Sequence, residues 1–197
     1  RISHALGALL FFSHVIVSPL AMPIYTCGIA ATAPLSRAPN AIGDEIAGRD
    51  VVFVTAPDYF AVKLVQLTRR LDHRPLPRRF RALGFGPEHV SVTRTAANTL
   101  ELDYAEGILS NPLMELYRDR RIPMHVGEQI TLEGLVIEVL TLTPDQRARK
   151  VRFTFDTPLD AAQLMFFYWN NGQFEPLATL AQGETRELPP AVLEFKF

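Results

Sequence analysis

The chain has 197 residues, 48% of them hydrophobic, with 20 basic and 21 acidic side chains and a formal charge of −1. That length supports one sizeable core or two small ones, and so balanced a charge gives no general attraction to nucleic acid. The single cysteine, Cys27, excludes an internal disulfide and the thiolate clusters of structural zinc and iron–sulfur sites.

No Asp, Glu, Lys or Arg occurs between Arg1 and Arg37. Residues 2–25 are long and apolar enough for a bilayer-spanning helix, which needs roughly 20 such residues. Pro19 and Pro23 would kink or end that helix, and Tyr25 suits an interface. A membrane-embedded helix over 1–29 is therefore expected. A secretory signal peptide, with Ala31-Thr32-Ala33 resembling a cleavage site, and a buried helix are the alternatives. Opening on Arg1 and not on Met, the chain is expected to be processed or to continue upstream. His4 and His14 lie ten residues apart, on different helical faces, and cannot share a metal ion. Residues 30–49 read as a linker, with one helical turn over 42–48.

Asp50 begins the soluble part. Val51-Val52-Phe53-Val54 is a continuous apolar run, the pattern of a strand buried on both faces. Thr55-Ala56-Pro57 breaks it, and Asp58 then caps a helix running to about Leu71. In α/β units ligands bind beyond the carboxyl end of strands, so Thr55 and Asp58 are candidate ligand contacts. No G-x-G-x-x-G or Walker lysine motif accompanies them.

Residues 69–81 carry Arg69, Arg70, Arg74, Arg78, Arg79 and Arg81 against a single acid, Asp72. This is the candidate contact for an anionic partner: lipid headgroups, a phosphate or an acidic protein. The alternative is a helix C-terminus whose arginines complement the dipole, followed by a solvated loop. Residues 80–83 read as a short strand, and 90–95 with 99–104 as a hairpin. Asn111-Pro112 opens a short helix to about Arg118. The region 50–126 is thus a small α/β-like unit.

From Gly127 the period becomes two. Strands are expected over 130–132, 134–141, 150–155, 163–169, 173–177 and 185–188, with a tight hairpin turn at Asn170-Asn171-Gly172. Evenly spaced short strands imply an antiparallel sandwich or partial barrel over 127–197. The run Leu164-Met165-Phe166-Phe167-Tyr168-Trp169 is apolar on both faces. Tyr168, Trp169 and Phe174 form a candidate aromatic surface for sugars or bases, with core packing or an interface with another subunit as the competing reading.

No G-x-S-x-G or H-E-x-x-H motif occurs, and no two histidines stand at metal-binding spacing. The sequence indicates no catalytic residue or metal site, leaves any cofactor undetermined (His4 or His14 could singly ligate a haem or chlorin), and leans away from an enzyme. The series Gly48-Arg49-Asp50-Val51-Val52 leading to Ala56-Pro57, then Phe153-Thr154-Phe155-Asp156 with Pro158-Leu159, then Tyr168-Trp169 with Gly172 and Phe174-Glu175-Pro176, resembles the soluble C-terminal region of certain bacterial multi-pass membrane proteins of unassigned function. The resemblance covers most of the chain and implies a location rather than an activity.

The expected protein is a membrane-anchored α+β chain. An N-terminal membrane-type helix precedes a strand–helix unit with a hairpin, and an antiparallel β-sandwich-like half follows. The expected role is a non-catalytic interaction or accessory module in an integral bacterial membrane assembly. Its partners would be other membrane subunits, or an upstream membrane portion of the same polypeptide, with the soluble part on an undetermined side. The rival readings are an enzyme domain acting on an anionic small molecule near Thr55 and Asp58, and a carbohydrate-binding sandwich.

Overall fold

The computed structural model describes residues 42–86, 88–108, 118 and 121–192, with isolated positions 11, 12, 15 and 17. The expected membrane helix, most of the linker, His4, His14, Cys27 and all but the last residue of the 111–118 helix lie outside them. Among the described residues no helix is long and apolar enough to cross a membrane.

The described chain is mixed α+β and mostly strand, in three layers: one helix, a four-stranded sheet and a six-stranded sheet. A 3-10 turn, Asp44–Ile46, leads into β1, Asp50–Phe53. Helix α1, Tyr59–Leu71, follows, with Asp58 as its N-cap: the carboxylate accepts the Ala61 N–H at 2.7 Å. The helix ends where His73 turns to φ 52°, a left-handed conformation of the kind that closes many helices. The chain returns through β2, Arg79–Ala82, which pairs parallel with β1. A hairpin of β3, Val90–Ala96, and β4, Thr99–Tyr104, starts the second sheet. Then come β5, Gln129–Leu132, β6, Leu135–Leu142, and β7, Ala148–Phe155. Strands β8, Leu164–Asn170, and β9, Gln173–Pro176, return to the first sheet, and β10, Thr185–Leu188, closes the second.

The first sheet has the order β2-β1-β8-β9 and the second β10-β3-β4-β7-β6-β5. Strands from 50–126 and from 127–197 therefore share each sheet. The later half is not an antiparallel sandwich on its own, because β8 pairs parallel with β1, Val52 opposite Phe166.

The layering explains the two apolar patterns. The four-stranded sheet is covered on both sides. Val51, Phe53, Phe167 and Trp169 face the helix residues Ala61, Val62 and Val65, while Val52, Val54 and Phe166 face the second sheet. A strand buried on both faces has no place for polar residues, so β1 and β8 read as continuous apolar runs. The six-stranded sheet has one covered face and alternates: Val151, Phe153 and Phe155 point inward, with Arg152 and Thr154 between them. The β8–β9 turn places Asn171 at φ 48° and Gly172 at φ 84°, the backbone that a two-residue hairpin loop requires.

Candidate functional site

The arginine-rich segment runs from the end of α1 along β2, and the fold gives its six arginines different tasks. Arg69 is 1% exposed. Its guanidinium donates to the Pro75 carbonyl at 2.9 Å, the Ile42 carbonyl at 2.9 Å and Asp44 Oδ1 at 2.7 Å. Arg74 donates to the same Asp44 oxygen at 3.0 Å and to the Ile42 carbonyl at 3.1 Å. Together they fasten the incoming chain to the last turn of the helix. Arg70, between them in sequence, is exposed.

At the other end of the segment Arg78 grips Asp50 with two hydrogen bonds, 2.8 Å and 2.6 Å, the paired geometry that makes arginine–carboxylate contacts strong. Arg79 adds a contact of 3.3 Å to Asp50 and pairs with the Glu133 carboxylate. Arg81 donates to the Glu133 carbonyl. Glu133 lies in the β5–β6 turn, so β2 is tied to the second sheet through this cluster. Arg81 Nη1 is buried with no hydrogen-bond partner among the described residues, and burial pushes the Arg81 guanidinium down, helped by the charge on Arg79. That atom is closed to solvent, which leaves an incoming anion no direct contact with it.

Arg69, Arg74, Arg78 and Arg79 are therefore partnered within the fold. This corrects the expectation of an anion-binding arginine patch: their charges are matched by Asp44, Asp50 and Glu133, which sequence distance concealed. Arg70 is the member left facing outward.

Thr55 and Asp58 do lie just past β1, but both serve structure. Thr55 is 3% exposed, and its hydroxyl accepts the Trp169 N–H at 3.3 Å. Asp58 caps α1. The expected aromatic surface is a correction of another kind. Trp169 and Phe174 are 1% and 2% exposed. Their rings meet edge-on at 4.9 Å, Phe174 lies 4.4 Å from Phe53, and the indole N–H donates to the Val192 carbonyl at 2.9 Å. They are core, because β8 sits in the middle of the doubly covered sheet. Tyr168 faces the other side, half-buried, with its hydroxyl donating to Glu175 at 3.1 Å. Among the described residues no group of three or more His, Cys, Asp or Glu is placed to hold a metal ion.

The solvent face of the six-stranded sheet holds an ion-pair ladder. Glu101 meets Lys150 and Arg152, each at 2.9 Å, and Arg152 reaches Glu138 at 2.9 Å. The cross-strand register puts Glu101 and Glu138 on either side of Arg152. Burial raises the Glu101 carboxyl, but the Lys150 and Arg152 hydrogen bonds outweigh it and the net shift is downward. For Asp50 the Arg78 guanidinium is the main influence and holds the carboxyl below its usual range against the raising effect of burial. A depressed carboxyl contributes stability that is complete above its unfolded value and is lost as pH falls through the folded one. The urea midpoint should therefore hold steady from neutrality to about pH 5 and fall below about pH 4. Asp50→Asn should show a shallower acid-side fall; an unchanged slope would mean the Arg78 pair adds nothing.

A surface unmarked in the sequence is the outer edge of β5. It ends the six-stranded sheet, and all four of its residues are exposed. Ile130 and Leu132 are 47% and 48% exposed, with Ile122 and Val126 at 63% and 64% on the preceding segment. Ile130 pairs with Ile137 and Leu132 with Leu135, both of which belong to the core between the sheets. The apolar face thus continues past the last strand that the covering sheet reaches. Neighbouring strands lie about 4.8 Å apart, so four strands cannot cover six. The opposite end stays closed, with Leu188 at 1% and Val92 at 0% exposure. Period-two alternation marks an inward face, but it does not say whether anything lies over it.

No protein-family model, curated protein or solved structure matches this chain.

Proposed function

We propose that the protein is a membrane-attached, non-catalytic interaction module of a larger membrane assembly, and that a partner subunit adds an extended segment to the outer edge of β5. The observation that carries the reading is that edge: among the described residues β5 pairs with β6 alone, and Ile130 and Leu132 are exposed on the core-side face. An edge strand offers a row of unpaired N–H and C=O groups, and proteins usually blunt it with lysine, proline or a bulge. The β5 sequence, Gln129-Ile130-Thr131-Leu132, has neither lysine nor proline. Main-chain pairing would supply affinity there, and the apolar overhang would select alternate side chains of the partner. The membrane part of the reading comes from the uncharged stretch before Arg37.

The test is carbonate extraction of native membranes, followed by mild detergent and mass spectrometry of the co-purifying chains, with a photo-crosslinker placed at position 130. Retention in the carbonate pellet and one defined crosslinked subunit are expected. Leu132→Lys, on the exposed edge, should remove that crosslink by several-fold while leaving the far-ultraviolet spectrum unchanged. Release into the carbonate supernatant, or a crosslink indifferent to Leu132→Lys, would overturn the proposal.

A further inference from the structure

Helix α1 carries two apolar stripes and needs only one for the core. Ala61, Val62 and Val65, with the Arg69 stem, face the four-stranded sheet. Phe60, Leu64, Leu67 and Leu71 follow the spacing i, i+4, i+7, i+11 and line up on another face. Leu64 is half-buried, while Phe60, Leu67 and Leu71 are 64%, 52% and 69% exposed. Beside this stripe stand Lys63 and Arg70, and no acidic residue lies in the helix between the caps Asp58 and Asp72.

We infer that α1 lies in the membrane interface, with Phe60, Leu67 and Leu71 against the acyl boundary and Lys63 and Arg70 toward anionic headgroups. The inference rests on the membrane attachment proposed above. Two features favour a lipid surface over a protein. The first is charge: an apolar face flanked only by cations is the composition of helices that lie on anionic bilayers, which attract each basic residue near the surface by about 1 kcal/mol. The second is position. The chain enters the fold at Ile42, whose carbonyl is held by Arg69 and Arg74. The chain that carries the uncharged N-terminal stretch therefore enters the described fold beside the helix turn that bears Arg70 and Leu71. At roughly 3.4 Å of maximum reach per residue, the number of residues between Tyr25 and Ile42 is enough to pass the helix's own length of about 20 Å.

The experiment uses the full chain in a Cys27→Ala background, which removes the only cysteine. A single fluorophore is attached through Leu67→Cys, or through Glu187→Cys on β10 as a reference on the solvent face of the second sheet. The labelled proteins are reconstituted into vesicles of phosphatidylcholine with or without phosphatidylserine, containing brominated acyl chains. Bromine quenching is expected to be several-fold greater at position 67 than at 187. It should rise with phosphatidylserine, and Lys63→Glu with Arg70→Glu should reverse that rise. If the protein floats with the vesicles and position 67 is instead quenched by aqueous iodide as readily as 187, the interface placement fails while membrane attachment stands. A label at 67 shielded from both quenchers would mean that protein covers the stripe, which also overturns the inference. Protein that does not float with the vesicles would overturn membrane attachment itself.

Discussion

Replacing Trp169 with alanine is expected to lower the unfolding free energy by about 3–5 kcal/mol, the range for deleting a large aromatic from a packed core. The ring is 1% exposed and sits between α1 and the centre of the first sheet, edge-on to Phe174, which in turn packs on Phe53. Its removal forfeits those contacts and leaves the Val192 carbonyl without its indole donor. Urea unfolding followed by circular dichroism would measure the loss. Because this is the chain's only tryptophan, fluorescence of the unaltered protein gives an independent check. Emission should be blue-shifted, resist acrylamide and ignore added oligosaccharides. A red emission maximum, or one moved by a sugar, would contradict the buried placement.

Arg69→Met should cost about 3 kcal/mol while Arg70→Ala, one residue away, should change stability by no more than about 0.5 kcal/mol. Methionine keeps much of the buried stem of Arg69 but none of its donors. The Ile42 carbonyl would then depend on Arg74, the Pro75 carbonyl would lose its arginine donor, and Asp44 would retain only Arg74. The loss is that of three hydrogen bonds made by one buried guanidinium, each worth about 1 kcal/mol net. Arg70 is exposed, and its substitution should leave packing untouched. Equal effects from the two substitutions would refute the assignment of Arg69 as the bolt between the 3-10 turn and the helix end.

Much of the local structure is legible in the sequence. The run at Val51-Val52-Phe53-Val54 marks a strand covered on both sides, Asp58 marks a helix start, and Asn171-Gly172 marks a hairpin. Each signal lies within a few residues of the feature it specifies: a cap reaches three positions and a tight turn uses two. The site was less legible. Six arginines in thirteen positions look alike in a sequence, yet Arg69 is buried, Arg74, Arg78 and Arg79 pair with acids, Arg81 donates to the Glu133 carbonyl, and Arg70 is left at the surface. Their acidic partners are Asp44 before β1, Asp50 at the start of β1 and Glu133 in the β5–β6 turn, and no spacing rule connects them. The aromatic run of β8 reads equally as a sugar platform or as core, because period alone does not say what covers a strand.

Legible in the sequence alone was an inventory: the strands, the helix that follows Asp58, their turns, and an uncharged stretch before Arg37. Periodicity and capping are short-range properties, carried by residues that are neighbours in the chain. The order of the strands, by contrast, is set by contacts that exist only in the folded chain. The parallel pairing of β1 with β8 brings Thr55 to Trp169 across 114 positions and carries β8 out of the antiparallel half. A parallel pair needs no tight turn between its strands, so no local signal announces it. That one pairing puts Trp169 under the helix and leaves four strands to cover six. The uncovered remainder is the β5 edge, exposed not by its composition but by the width of the sheet opposite.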